Sequence, residues 1–280
     1  LYQKMRALII YLVISAVFIG CTPILSIDAS TQNVYHFSDT DKNISLLDIS
    51  ETFGTYDGSF VLYDNNLDSW KIYDLEEATK RIPPESTYKI YDALLGLESG
   101  IITPEHSSMT WNGDAFPFPS WEADQDLNSA MQNSVNWYFQ AIDSQLGINR
   151  VQEFLNKIEY GNQTTSSNLD LYWSDFSLKI SPLEQVTLLK KFNTNEFHLN
   201  FQNVFSVKNA IKIASTPNGH FYGKTGTGRV NGQDINGWFI GYVETSDNSY
   251  YFATNIQSNA TGKKAFEITS DILKKLHIWN

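Results

Sequence analysis

Apolar and polar positions divide the chain into three stretches. From Ala7 to Ile27, 21 residues pass without a charge, close to the ~20 that a helix needs to cross a bilayer. Lys4 and Arg6 precede this run and Asp28 follows it, a bias that places the following residues outside the cell. Phe18-Ile-Gly-Cys21 has the outline of a lipoprotein cleavage box, although phenylalanine is a poor residue three places before the cysteine. Residues 1–27 are therefore expected to be a membrane span or an export or lipoprotein signal. Residues 28–54 are polar and are expected to form a linker or peripheral arm.

The remainder, 55–280, carries strand and helix periodicities in turn. Ser59-Phe-Val-Leu-Tyr63 and Trp70-Lys-Ile-Tyr73, parted by Asp64-Asn-Asn-Leu-Asp-Ser69, predict a strand, a turn and a strand. After Pro83-Pro84 the pattern becomes helical, with Ile90, Ala93, Leu94 and Leu97 on one face. Further helices are expected at about 126–145, 149–158 and 182–192. Strands return at Gly237–Val243 and Tyr250–Ile256, and a last helix carries Ala265, Ile268, Ile272, Leu273 and Leu276. Strands at both ends around a helical middle predict an α+β fold, an α/β sandwich whose antiparallel sheet is formed by both chain ends with helices packed on it.

Composition narrows the functions open to this fold. With 42% hydrophobic residues, 7 Trp, 15 Tyr and 17 Phe in 280, a large core is expected. The net charge of −11 repels phosphate backbones, so no nucleic-acid partner is expected. Cys21 is the single cysteine, which leaves the part after it without a disulfide or a thiolate metal site. The five histidines, at 36, 106, 198, 220 and 277, form no zinc motif and no nucleophile elbow. No metal is expected.

Two short motifs remain. Ser86-Thr-Tyr-Lys89 is the one Ser-x-x-Lys of the chain, and positions three apart share a helix face, so the amine reaches the hydroxyl. The free N–H groups of the helix start suit an oxyanion. Holding a lysine neutral at pH 7 costs roughly 4.6 kcal/mol, which a dry pocket lowers. About one such match arises by chance in a chain of this length. Gly223-Lys224-Thr225-Gly226-Thr227-Gly228 is rarer: a Lys-Thr-Gly triplet arises by chance in about one such chain in ten. It offers a cation and a hydroxyl for an anionic group, with glycine where substrate lies against an edge strand. Together they describe serine acyl transfer with a lysine base and no histidine.

On these motifs the chain resembles the penicillin-recognising serine family, and within it the class D branch. That branch holds the class D β-lactamases and the extracellular sensor domains of BlaR/MecR-type β-lactam signal transducers. The resemblance spans roughly residues 55–278 and implies a class D β-lactamase-like, transpeptidase-like fold. It implies Ser86 as the acylated nucleophile, Lys89 as its base, and Ser134 of Ser134-Val-Asn136 as the proton-relay hydroxyl. Tyr160-Gly-Asn162 corresponds to the family's Tyr-Gly-Asn loop, and Trp173 to the tryptophan packed on the catalytic lysine. Lys224, Thr225 and Gly226 would bind the β-lactam carboxylate, and the N–H groups of Ser86 and Thr227 would form the oxyanion hole.

The same motifs bear on enzyme against sensor. The class D enzymes read Ser-x-Val at the relay and carry a CO2-derived carbamate on the lysine; here Asn136 replaces the valine. A shift of ~2–3 kcal/mol against the carbamate lowers its occupancy roughly 30- to 150-fold, and the acyl-enzyme then persists. Tyr88 before the lysine and Trp137-Tyr138 after the relay motif also resemble the transducers. The expectation is a membrane-anchored, outward-facing β-lactam sensor domain with slow deacylation, a fragment of a longer transducer whose other parts would be its signalling partner. A first residue other than Met suits that reading. If these 280 residues are the whole protein, a secreted or lipid-anchored class D β-lactamase becomes the better reading. A D,D-peptidase is disfavoured by the Tyr-Gly-Asn loop and Trp173.

Overall fold

The computed structural model describes residues 43–280; the expected span or signal at 1–27, with Cys21, and residues 28–42 lie outside the described residues. The described chain runs β1 (Ile44–Leu46), α1 (Ser50–Phe53), β2 (Asp57–Asp64), β3 (Ser69–Tyr73) and α2 (Leu75–Thr79). A helical middle follows, with α3 (Lys89–Glu98), α4 (Leu127–Gln132), α5 (Asn136–Leu146), α6 (Ile148–Ile158), α7 (Pro182–Asn193) and α8 (Phe201–Ala210). Then come β4 (Lys212–Thr216), β5 (Gly219–Val230), β6 (Gln233–Thr245), β7 (Ser249–Gln257) and α9 (Gly262–Lys275).

Among the described residues the strands form one sheet in the order β1-β3-β2-β7-β6-β5-β4. Both chain ends build it, because β2 pairs antiparallel with β7 from Asp57–Gln257 to Asp64–Tyr250. Alternation along each strand then divides the core. Phe60, Leu62, Phe239, Val243, Phe252 and Ile256 turn to the side where α9 buries Ala265, Ile268, Ile272 and Leu273. Val61, Tyr63, Trp238, Ile240, Tyr242 and Ala253 turn to the helical middle. Fully burying each valine, leucine, isoleucine or phenylalanine among them contributes about 1.5–3 kcal/mol.

Three features depart from the sequence expectation. Ile44–Leu46 pairs parallel with β3, and Phe53 is buried beside α9, so residues 44–53 belong to the sheet and its core, not to an arm. The helix expected at 126–145 is two helices, broken where Ser134 takes a left-handed φ of 56°. The strands β4 and β5 and helix α8 were not predicted. In β5, glycines at 219, 223, 226 and 228 replace the alternating apolar residues by which a strand is recognised.

Candidate active site

Ser86 sits on a single 3₁₀ turn, Glu85–Tyr88, that leads into α3. Neighbours on three sides hold this turn. Asn236 Nδ2 and Trp238 Nε1 on β6 donate to the Pro83 carbonyl at 3.1 and 2.8 Å. The Glu85 N–H donates to the Trp173 carbonyl at 3.0 Å, and Thr87 Oγ1 donates to Pro84 O at 2.6 Å. On the open side β5 comes close. A Cβ placed on Gly226 would stand 3.3 Å from Ser86 N and 3.2 Å from Pro84 O, so only glycine allows this approach without a shift. Pairing of β4 with β5 ends at Tyr222, which leaves Lys224–Thr227 on a local edge facing the serine turn.

Lys89, the first residue of α3, is fully buried. Its Nζ lies 2.8 Å from Ser86 Oγ and donates to Asn136 Oδ1 at 2.7 Å. The rings of Phe139 and Trp173 stand 5.6 Å from the nitrogen. Burial, and after it the charge of Lys224, hold this amine well below the usual lysine range. An uncharged amine has a lone pair, which at this distance is able to take a proton from the serine hydroxyl.

The Tyr160-Gly-Asn162 motif works at one remove. Asn162 donates from Nδ2 to Ser177 O at 2.7 Å and accepts from the Lys179 N–H at 2.9 Å. It thereby fastens the loop that carries Trp173. Tyr160 is buried edge-on to Tyr88 and Tyr91, with ring centroids 5.1 Å apart in each case. Neither side chain lines the cleft; the motif positions Trp173 and the serine turn.

The second lysine faces the other serine. Lys224 Nζ donates to Ser134 Oγ at 2.9 Å and to Thr225 O at 3.1 Å, and burial pushes it down to about 7. Ser134 can be reached because the α4–α5 break turns it toward β5, a left-handed conformation of the strained kind that clusters at functional sites. Ser86, Ser134, Asn136, Thr225, Gly226 and Thr227 all line one cleft of about 450 Å³, a size suited to a small molecule. Phe118 and Trp121 from the segment before α4 border it.

The sequence reading missed four contributors. Phe139 completes the wall around Lys89; it lies three residues after Asn136, and helical spacing from that residue would have found it. The Phe118-Pro-Ser-Trp121 segment carries no periodicity to mark it. Glu85 lies buried next to Ser86. Below Lys89, Asp92 on α3 and Asp143 on α5 are both fully buried. Burial raises both of these acids, and their mutual repulsion raises Asp92 further, so that the pair retains a proton.

The paired serines and lysines, one lysine on the sheet and the rest on or between the helices packed against it, define a serine acyl-transfer domain of the penicillin-binding type. A profile of the penicillin binding protein transpeptidase domain matches residues 55–274, and the chain belongs to that family. The regulatory protein BlaR1 of Bacillus licheniformis is 44% identical over 283 residues, which span 100% of this chain and 46% of that protein. The chain thus covers about half the length of the curated relatives it matches. The C-terminal domain of the Bacillus licheniformis BlaR penicillin-receptor superposes with a TM-score of 0.83 at 46% identity, covering 85% of this chain and 98% of that domain. The class D β-lactamase BAT-2 gives 0.79 at 36% identity, covering 84% and 97%.

Proposed function

We propose that this chain is the β-lactam-sensing domain of a transducer, acylated at Ser86 and slow to release its adduct. The observation that carries the reading is the 2.7 Å contact between Lys89 Nζ and Asn136 Oδ1. Ser86 Oγ attacks the lactam carbonyl and its proton passes to Lys89 Nζ, 2.8 Å away. The ring C–N bond breaks as Ser134 Oγ gives its proton to the departing nitrogen, and Lys224, which already donates to Ser134, resupplies it. The backbone N–H groups of Ser86 and Thr227 receive the oxyanion. Lys224, Thr225 and Gly226 receive the antibiotic's carboxylate.

Deacylation requires a base for water, and the same contact removes it. Once Lys89 has taken the serine proton, Asn136 Oδ1 accepts from the ammonium and stabilises it. The Phe139 and Trp173 faces stabilise it too. The class D carbamate does not fit this site as it stands. Burial favours the uncharged amine that CO2 needs, but Asn136 Oδ1 already accepts from that amine, so a carbamate would form only by giving up this contact and turning the amide. No step here passes through it.

Similarity to BlaR1 supports placing the domain outside the cell, tethered through residues 7–27. Among the described residues no helix is long and apolar enough to cross a membrane. Intact mass of the 280-residue chain, followed over time with a small excess of penicillin, tests the function. One adduct lasting hours, with hydrolysis ending at one equivalent, is expected. Continued turnover with little adduct would make it a class D β-lactamase, and absence of both would end either reading.

A further inference from the structure

Behind the nucleophile lies a carboxyl that the acylation steps leave unused. Glu85 is 5% exposed, and its backbone holds the left-handed φ of 52° that the serine turn requires. The side chain lies against β5. A Cβ placed on Gly228 would stand 2.5 Å from Glu85 Oε1, and one on Gly226 would stand 3.1 Å from Glu85 Cβ. Two glycines of the strand thus make room for one carboxyl. Beyond it runs a buried chain of amides: Asn255 Nδ2 donates to Asn236 Oδ1 at 2.6 Å, and Asn236 Nδ2 donates to Pro83 O at 3.1 Å. An apolar side chain would fill the same gap without any desolvation cost, so an acid here calls for an explanation.

We propose that Glu85 is a positioning residue for acylation: its carboxyl fills the seam between the serine turn and β5, setting the separation of the Ser86 and Thr227 N–H groups. This rests on reading Ser86 as the acylated nucleophile. Burial pushes Glu85 up to about 8, against the opposing pull of Asn236 and Lys89. It therefore stays neutral at pH 7, and losing its proton puts a charge into a dry contact, which draws in water and parts the strand from the turn.

The other titratable groups on the adjoining elements have partners of their own. Lys89 on α3 faces Ser86 and Asn136, and Lys224 on β5 donates to Ser134. Arg229 on β5 and Asp234 on β6 pair at 2.7 Å. Glu77 on α2 pairs with Lys80 at 3.1 Å and accepts from Gln257 Nε2 at 3.1 Å. Lys224 also loses charge in this pH range, so the wild-type profile alone does not isolate Glu85.

The test is the limiting rate of penicillin labelling, at saturating antibiotic, of the 280-residue chain and its Glu85→Gln variant from pH 6.5 to 9.5. Lys224 titrates in both, so the ratio of variant to wild type removes its contribution and reports the charge on Glu85, including its pull on the Lys89 amine. It should be close to one at pH 6.5 and rise to about thirtyfold at pH 9.5, the loss of protonated acid 1.5 units above its midpoint. A rise of less than about fivefold overturns the proposal, since an acid with a merely structural role would not move this ratio. Glu85→Ala, which empties the seam, should slow labelling roughly tenfold at pH 7; labelling at the wild-type rate also overturns it. Should Glu85→Gln fail to fold, carbon-13 titration of the glutamate carboxyls in the wild-type chain decides. One midpoint near 8 is required, and midpoints all below 6 overturn it. If wild type is never labelled, it is the acylation reading that fails.

Discussion

Lys89 and Lys224 make the same contact in different surroundings. Each is buried and each lies within 3 Å of a serine hydroxyl, Ser86 at 2.8 Å and Ser134 at 2.9 Å. Lys89 is walled by two aromatic rings and an amide, and burial together with its cationic neighbour holds it far below the lysine range. Lys224 lies at a strand edge, keeps a backbone carbonyl as acceptor, and falls only to about 7. In the acylation proposed above, these surroundings suit one copy of the side chain to act as base and the other as proton donor. Groups of the same kind whose environments push their titrations apart mark the acid and base of a site.

Removing the nucleophile is the strongest way to break this comparison. Ser86→Ala should abolish covalent labelling by penicillin, and an adduct at the same place in that variant would refute the assignment. Next comes Lys89→Met, which keeps the bulk and removes the base. Labelling should slow by about 10²–10⁴-fold, the usual contribution of general base catalysis. A slowing of less than tenfold would mean that Lys89 is not the base.

Asn136→Val sharpens the contrast, because it removes the acceptor that distinguishes the Lys89 site. Carbamate occupancy and turnover should rise roughly 30- to 150-fold. Equal carbon-13 carbamate signals with labelled bicarbonate in both proteins would end that argument. Lys224→Ala should weaken antibiotic binding about tenfold, because it removes a cation from the carboxylate site, and should also slow acylation, because it removes the donor that resupplies Ser134. Unchanged apparent affinity would displace it from that role.

The smallest effect is on stability. Asp143 keeps its proton when folded and loses it near the ordinary carboxylate range, about 3.9, when unfolded. The unfolded chain then binds fewer protons, so stability is fullest below that range and declines as pH rises toward the folded midpoint. Asp143→Asn should flatten the decline and raise Tm at pH 8 by about 2–4 °C. A Tm profile as steep as wild type's would show that the acid pair does not share a proton.

Much of this was legible in the chain. The apolar stripe Ala265, Ile268, Ile272, Leu273 predicts α9, which is where it lies. Ser86 and Lys89, three apart at a helix start, do meet. Glycine-rich β5 was not legible, because its pairing is dictated by β6 and not by its own side chains. Nor was the break at Ser134, since apolar periodicity continues across it from α4 to α5. Glu85, Asp92 and Asp143 carry no mark of burial in the sequence, and segments distant in the chain bury them.

What the sequence determined by itself is what short-range rules govern: helices and strands with clear periodicity, the serine–lysine spacing, and the family motifs. What only the tertiary structure decided is which groups share a dry space. Asn136 meets Lys89 across 47 residues and Lys224 meets Ser134 across 90. The protonation of each depends on the water that all the packed elements together exclude. Desolvation belongs to the assembled site, so no local pattern records it.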